Sequence, residues 1–264
     1  MVSGQSFETL EIERDGPVLR VWLARPDRLN ALNGTALEEI TRLFTSLQRD
    51  FDARVVVLGG RGRAFCAGAD RKDPPGSDRM LRSADVGERE RRWSSQLGLR
   101  ACTAIASAEA VTLARVHGHA VGGGFALAMA CDFRLAAEDS VFHVPEVDLG
   151  VPLTWGATPR LIHEVGAARA REIILMCDRF DGTTAERWGV VHRAVPTADL
   201  EATVADWAGR AAAKPEVAVH MTKTQFRAYA ALALLGNVSE TDGDVLMGAS
   251  RVGIARQSFP TREG

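Results

Sequence analysis

The amino-acid sequence predicts an α/β fold in which a sheet-bearing core is followed by a carboxy-terminal helical subdomain. A strand-like segment, a loop and a helix-like segment follow one another twice, each time with glycine where the strand gives way to the helix. Beyond residue 200 the strand patterns stop, and long alanine-rich segments typical of helices follow. With 264 residues, 46% of them apolar, the chain is long enough to bury one full core.

The first elements follow from alternation and turn chemistry. The segments "TLEIER" and "PVLRVWLA" alternate on either side of Asp15-Gly16, which is typical of a β-hairpin. A helix is predicted to begin near Asn33, because apolar residues then recur on one helical face. The segment "VVVLGG" predicts a short buried strand that opens into a glycine-containing loop ending at Asp70. The residues of the apolar helix face are Leu37, Ile40, Leu43, Phe44 and Leu47.

The middle of the chain predicts a polar excursion and then a second strand and helix. Residues 71–88 are polar and contain a Pro-Pro-Gly sequence, so we expect them to form a mobile loop. A helix is predicted over residues 88–107, and a strand over "VTLARV". Residues 122–124 are all glycine and precede an apolar, helix-like run. Two further strands are predicted around "DFRLAA" and "SVFHV".

The carboxy-terminal part of the chain predicts helices over residues 200–214, 216–235 and 239–255. We therefore expect a core domain at 1–199 and a helical subdomain at 200–264. Apolar terminal helices usually pack on a partner, so a homo-oligomer is expected.

Composition excludes several classes of function. A net charge of −2 gives no bias towards nucleic acid, and no apolar run approaches the roughly 20 residues that cross a bilayer. We expect a soluble cytoplasmic protein with reduced thiols and no metal site, because the four cysteines are widely spaced. Residues 61–100 hold ten Arg or Lys against six Asp or Glu, a surplus of four. This surplus fits either a solvated surface or a partner that carries phosphates.

The three consecutive glycines leave two interpretations open. A dinucleotide-binding GxGxxG pattern fails, because the sixth residue counted from Gly122 is Leu127, and a phosphate-binding P-loop would need a lysine nearby. The glycines could serve close packing of the helix. They could also leave a helix amino terminus bare, so that a backbone N–H can reach an oxygen that gains negative charge. That interpretation requires a second donor, and the small residues 67–69 after the strand "VVVLGG" are the candidates.

Four ordered motifs resemble those of the crotonase family of acyl-CoA enzymes, also called the enoyl-CoA hydratase/isomerase family. They are "RPDRLNALN", "GRAFCAGAD", "VHGHAVGGGFALAMACD" and "FHVPEVDLG", and the resemblance spans residues 8–196. It implies a spiral of ββα units with a carboxy-terminal helical region that builds trimers, often stacked as hexamers. It also implies an acyl-CoA thioester as substrate and no separate cofactor, since coenzyme A is part of the substrate.

The resemblance assigns the backbone amides of Ala69 and Gly123 as the two donors to the thioester carbonyl. It also implies that residues 69–72 line the CoA groove, with Arg25 or Arg28 near its nucleotide end. The basic surplus is then explained, because CoA is a phosphorylated anion. The residues expected to bind the substrate are Arg25, Arg28, Ala67, Ala69, Asp70, Arg71, Lys72, Gly123 and Trp155.

The carboxylates depart from the family pattern. Family hydratases use two glutamates; the second is present as Glu146, whereas the first falls on Ala126. A single carboxylate can take a proton from one carbon and return it two atoms away, so isomerisation of a double bond is favoured over hydration. We expect Phe142, Leu149 and Trp155 to form an apolar pocket that raises the pKa of Glu146. A hydratase, a hydrolase or lyase, and a non-catalytic acyl-CoA binding protein remain alternatives.

Other chemically notable side chains are given supporting roles. Asp70 is expected to organise its loop through backbone N–H groups, and Asp132 to be structural. Cys66 has no neighbour in the sequence that would activate it as a nucleophile. Asp148 is a candidate auxiliary group beside Glu146. Tyr229, the sole tyrosine, could act only if its helix meets an active site.

Overall fold

Nine strands form two sheets in the part of the chain that the computed structural model describes, residues 6–75, 86–233 and 242–251. The strands are β1 (Leu10–Asp15), β2 (Val18–Leu23), β3 (Val55–Gly60), β4 (Val111–Val116), β5 (His119–Val121), β6 (Phe133–Ala137), β7 (Val141–His143), β8 (Phe180–Asp181) and β9 (Arg193–Val195). The main sheet has the order β1-β2-β3-β4-β6-β9, and the small sheet has the order β5-β7-β8.

The main sheet is parallel except for its first pair. Strands β1 and β2 are antiparallel about Gly16, whose φ of +54° confirms the predicted hairpin turn. Side chains alternate between the two faces of the central strands, yet both faces are buried: Val56 and Leu58 lie on one side, and Val55 and Val57 on the other. Burial on both faces explains why "VVVLGG" is continuously apolar.

Nine helices accompany the sheets in the same described residues. They are α1 (Gly34–Ser46), α2 (Glu88–Ser95), α3 (Leu97–Ala106), α4 (Gly123–Ala130), α5 (Ala157–Met176), α6 (Gly182–Trp188), α7 (Leu200–Ala212), α8 (Glu216–Ala233) and α9 (Asp242–Arg251). Helix α1 begins next to Asn33, as predicted, and the Asn33 side chain caps it by accepting a hydrogen bond from the Ala36 amide. None of the helices in the described ranges combines the length and apolar character needed to cross a membrane.

The prediction of one continuous helix over residues 88–107 was wrong. The segment forms α2 and α3, which are separated at Gln96. The amide of Gln96 bonds to the Trp93 carbonyl at 3.1 Å, a tight turn that ends α2. The predicted excursion over 71–88 falls largely on residues 76–85, which lie outside the described residues.

The first carboxy-terminal helix packs directly on the main sheet. Leu200, Val204, Ala208 and Ala212 of α7 form one cluster with the outer face of β3, β4 and β6. Helix α8 is tied to the same body through Lys223, whose Nζ donates to Asp132 (2.5 Å) and to the Ala110 carbonyl (2.6 Å). Of the predicted helix over 239–255, residues 239–241 and 252–255 lie outside the described range. The division into domains 1–199 and 200–264 stays a prediction.

Candidate active site

The amino terminus of α4 presents a bare backbone amide. Gly122 precedes the helix with φ +49° and ψ −112°, a conformation suited to glycine, and its amide bonds to the His143 carbonyl at 2.9 Å. The first bond of the helix runs from the Ala126 amide to the Gly122 carbonyl. The Gly123 amide therefore precedes the first hydrogen-bonded amide of the helix. It has no acceptor among the described residues.

The three glycines face three different neighbours. A Cβ on Gly122 would lie 2.6 Å from Glu146 Oε1, and one on Gly123 would overlap the indole of Trp155. A Cβ on Gly124 would overlap the carbonyl of Cys66. Close packing thus explains why residue 124 is glycine. At Gly122 and Gly123, the absence of a side chain leaves room for Glu146 and Trp155, which are candidate site residues.

A second turn brings Ala69 to the same place. Ala69 pairs with Leu32 in an isolated parallel bridge, in which the Leu32 amide bonds to the Gly68 carbonyl and the Asp70 amide bonds to the Leu32 carbonyl, both at 2.8 Å. These two bonds flank Ala69 and leave its own N–H on the opposite side. A Cβ on Gly68 would lie 3.5 Å from the Gly123 nitrogen. The two turns that carry the predicted donors therefore meet.

Asp70 organises the loop as predicted. Its Oδ1 accepts from the amides of Lys72 (3.0 Å) and Asp73 (3.2 Å), and its Oδ2 accepts from Arg25 (2.8 Å). Burial acts to raise the pKa of Asp70, but the Lys72 amide, Arg25 and the Asp73 amide outweigh it and hold that pKa below its usual value. The Asp70 carboxylate is thus a loop anchor that points into the protein.

The candidate CoA-binding side chains divide into an internal and an exposed set. Arg25 is engaged within the protein, because its guanidinium also donates to the Ala31 carbonyl. Arg28 ends a short 3₁₀ turn, Pro26–Arg28, and is exposed, as are Arg71 and Lys72. The backbone amide of Ala67 also bonds within the protein, because it donates to the Leu29 carbonyl at 3.0 Å.

Glu146 lies in the loop after β7 and carries an unpartnered oxygen. Its Oε2 is buried and has no hydrogen-bond partner among the described residues. Burial raises the pKa of Glu146 from 4.5 to about 7, opposed only by its own backbone N–H. Within the described part of the chain no charged side chain contributes to this shift. A lone carboxyl group with this pKa can both hold and release a proton near neutral pH.

The position across from Glu146 in the family pattern is apolar. Ala126 lies in α4 and is 1% exposed. Asp148, the candidate auxiliary carboxylate, is exposed and has no hydrogen bond to Glu146. Tyr229 is 69% exposed on α8. Burial raises the pKa of the Cys66 thiol to about 12, which supports the prediction that Cys66 is not a nucleophile.

Trp155 is held by residues that the sequence did not single out. Trp155 and Gly156 form a left-handed turn with φ values of +60° and +68°. Arg160 Nη1 donates to both carbonyl oxygens of this turn, and the Gly156 amide donates to Asp242 at 2.6 Å. A Cβ on Gly98 of α3 would overlap the Trp155 indole. A lone glycine inside a helix pattern is a recognisable sign of such a contact, whereas nothing in the local sequence marks Asp242.

Known proteins are similar to this chain over most of its length. A family model described as enoyl-CoA hydratase/isomerase matches residues 13–249. A probable enoyl-CoA hydratase of Mycobacterium tuberculosis is 37% identical, covering 74% of this chain and 72% of that protein. The peroxisomal Delta(3,5)-Delta(2,4)-dienoyl-CoA isomerase of Arabidopsis thaliana is 34% identical, with coverages of 72% and 70%.

The fold is also similar to that of solved structures of enoyl-CoA hydratases. A crystal structure of an enoyl-CoA hydratase from Mycobacterium avium subsp. paratuberculosis superposes with a TM-score of 0.82 at 26% identity, covering 96% of this chain and 99% of that one. Its crotonase fold confirms the predicted architecture of the core. With two backbone turns converging in that fold and the family model spanning most of the sequence, the chain belongs to the enoyl-CoA hydratase/isomerase family.

Proposed function

We propose that this protein is an enzyme that moves the double bond of an enoyl-CoA thioester, with Glu146 as the proton carrier. The observation that carries the proposal is the buried, unpartnered Oε2 of Glu146 beside the bare amino terminus of α4. The thioester carbonyl oxygen accepts hydrogen bonds from the amides of Ala69 and Gly123, which stabilise the negative charge of an enolate.

The reaction needs one carboxylate. Ionised Glu146 takes a proton from the carbon between the carbonyl and a 3,4 double bond, and the electron pair delocalises over the carbonyl and the double bond. The protonated Glu146 then returns this proton two atoms away, which leaves a conjugated 2,3 double bond. A pKa of about 7 suits both halves of this step, because the group is neither fully protonated nor strongly reluctant to accept a proton.

Hydration of a 2-enoyl-CoA is the second candidate, and it is favoured by the names of most relatives. Crotonyl-CoA hydratase of Syntrophomonas wolfei, for example, is 32% identical over 83% of the chain. Ala126 argues against efficient hydration, since water must be oriented and deprotonated while a proton reaches the neighbouring carbon. One carboxylate is poorly suited to both tasks at once.

The charged rim supports CoA as the carrier. Exposed Arg28, Arg71 and Lys72 lie on the segments that flank the Ala69 turn, where they can bind phosphate groups. The proposed reaction needs no separate cofactor, since coenzyme A enters as part of the substrate.

Absorbance of the conjugated thioester tests the function directly. The wild-type protein is expected to convert 3-enoyl-CoA into absorbing 2-enoyl-CoA. Glu146→Gln should lower turnover by about 10²- to 10⁴-fold with CoA binding retained, because only the proton carrier is removed. Glu38→Gln, an exposed glutamate on α1, is the matched control. Full turnover in Glu146→Gln would contradict the assignment.

Product analysis separates the alternatives. Accumulation of a 3-hydroxyacyl-CoA from 2-enoyl-CoA would make the protein a hydratase, and free CoA would indicate a hydrolase or lyase. Tight acyl-CoA binding without any product would leave only a binding protein. If the missing carboxylate is what limits hydration, Ala126→Glu should increase hydration relative to isomerisation.

A homotrimer or hexamer in the cytoplasm remains part of the proposal. Helix α8 supports oligomerisation, because Val217, Met221, Phe226 and Tyr229 are each between 63% and 70% exposed on it. Light scattering of the purified protein tests the assembly, and a monomer mass at every concentration would contradict it.

A further inference from the structure

The indole of Trp155 fills the space directly beside the candidate donor Gly123. The six-membered ring lies where a Cβ on Gly123 would be, and the fused and pyrrole atoms lie where a Cβ on Gly98 would be. The ring therefore bridges α3 and the amino terminus of α4 through two residues that lack side chains. Any larger residue at Gly98 or Gly123 would have to displace it.

The backbone that carries Trp155 is held in place from two sides. A positive φ is rare for an aromatic residue, so the turn needs support from its surroundings. Arg160 binds the carbonyl oxygens of Trp155 and Gly156 at 3.2 and 2.9 Å. Asp242, the first residue of α9, accepts from the Gly156 amide at 2.6 Å. Both sides of the turn are thus hydrogen bonded to charged side chains.

Helix α9 is itself anchored close to the turn. Arg92 of α2 pairs with Asp244 at 2.9 Å, and a Cβ on Gly243 would lie 2.7 Å from Ser95 Oγ. Asp242 is therefore carried by a helix that packs on α2. The position of the Trp155 turn depends on this carboxy-terminal helix as well as on Arg160.

We propose that Trp155 is a specificity-determining residue that restricts this site to short acyl chains, and that Arg160 and Asp242 are the positioning residues that hold it there. The inference rests on the proposed function, because it takes the thioester carbonyl to lie at the amides of Ala69 and Gly123. The acyl group must then continue from a carbonyl that is next to Gly123. The indole lies against the Cα of that same residue and occupies space that a longer chain would need.

Equilibrium binding of saturated acyl-CoAs tests this without turnover. An open apolar channel would tighten binding by about fourfold for each added methylene group. We expect the wild-type protein to gain affinity from acetyl-CoA to butyryl-CoA at most, and to bind octanoyl-CoA no more tightly than butyryl-CoA. In Trp155→Ala, the affinity for octanoyl-CoA relative to butyryl-CoA should rise by about tenfold or more. The ratio of these affinities in Trp155→Phe should lie between those of wild type and Trp155→Ala.

Matched variants separate positioning from general damage. Asp242→Ala removes the acceptor of the Gly156 amide and should shift the octanoyl-to-butyryl preference in the same direction as Trp155→Ala. Asp242→Asn keeps an acceptor oxygen and should retain the wild-type preference. Gly98→Ala should change the preference because the methyl group meets the indole, whereas Gly209→Ala in α7 meets nothing within 4 Å and should not.

The outcomes distinguish this inference from the proposed function. Wild-type affinity that rises steadily to octanoyl-CoA, or an unchanged preference in folded Trp155→Ala, would overturn the inference while leaving Glu146 catalysis intact. An unchanged preference in Asp242→Ala would remove Asp242 as a positioning residue. Failure of every acyl-CoA to bind would overturn the proposed function itself. Full turnover by Glu146→Gln would refute the catalytic assignment but not the chain-length result.

Discussion

Replacing Glu146 by glutamine should stabilise the protein while it removes activity. The native state raises the pKa of this carboxyl from 4.5 to about 7, because burial penalises the ionised form. In the unfolded chain the group returns to its ordinary pKa. Between these two pH values the native state binds more protons than the unfolded state, so the free energy of unfolding falls as pH rises. Glutamine cannot ionise and does not carry this penalty.

The magnitude follows from the two pKa values. One pH unit of difference corresponds to about 1.36 kcal/mol, so the penalty grows to about 3 kcal/mol once pH exceeds the native pKa. It is absent below the unfolded pKa. The free energy of unfolding of Glu146→Gln, relative to wild type, should therefore rise by about 3 kcal/mol between about pH 4 and pH 8. Any cost of burying the neutral amide is an offset that does not depend on pH.

Urea unfolding at both pH values measures this difference. All proteins are compared at one concentration, because any oligomerisation would add a concentration-dependent term. Glu38→Gln, which replaces an exposed glutamate by the same amide, is the control. If the free energies of unfolding of Glu146→Gln and wild type differ by the same amount at both pH values, the native state does not disfavour ionised Glu146. The unpartnered Oε2 would then carry no energetic penalty when the carboxyl group is ionised.

Two further substitutions test the scaffold of the site. Arg25→Met should destabilise the protein by about 3 kcal/mol in urea unfolding, because it leaves Asp70, with a side chain 5% exposed, without its counterion; adding Asp70→Asn should recover part of the loss. A raised KM for acyl-CoA with unchanged stability would instead make Arg25 a phosphate ligand. Glu164→Gln should cost about 2 kcal/mol, since the guanidinium of Arg134 is 1% exposed and loses the negative charge of its partner at 2.6 Å, while Glu164 itself is partly solvated. An unfolding free energy equal to that of wild type would show that Arg134, which also donates to the carbonyl oxygens of Cys131 and Val190, does not need a carboxylate charge at position 164.

The sequence predicts those parts of the site whose chemistry is local. The Asp15-Gly16 hairpin and the Asn33 cap depend on a few adjacent residues, so their patterns can be recognised in the sequence alone. The same holds for the bare turn at Gly123 and for the loop anchor Asp70. Each of these features is set by contacts within a short segment or by a turn type that few residues can adopt.

Other parts of the site depend on contacts that cross the chain. Asp242 reaches Gly156 from a helix 86 residues later, and Arg25 meets Asp70 across 45 residues. The break at Gln96 also escapes periodicity, because α2 (ERERRWSS) is polar apart from Trp93 and has no apolar repeat whose phase could change at the break. Gly98 is an intermediate case, since a lone glycine in a helical segment marks a candidate close contact but does not identify Trp155 as the partner.

The apolar residue at position 126 and the raised pKa of Glu146 are best understood together. Two carboxylates sharing a site repel one another, and that repulsion is one way to raise the pKa of one of them. Here the described residues supply no such neighbour, and burial alone raises the pKa of Glu146 to about 7. Burial thus gives a carboxyl group with a pKa near neutrality, as the proposed proton carrier requires, although position 126 holds no second acid. Restoring a charge at that position would add repulsion to burial, so Ala126→Glu should raise the pKa of Glu146 further and move the pH dependence of isomerisation upward.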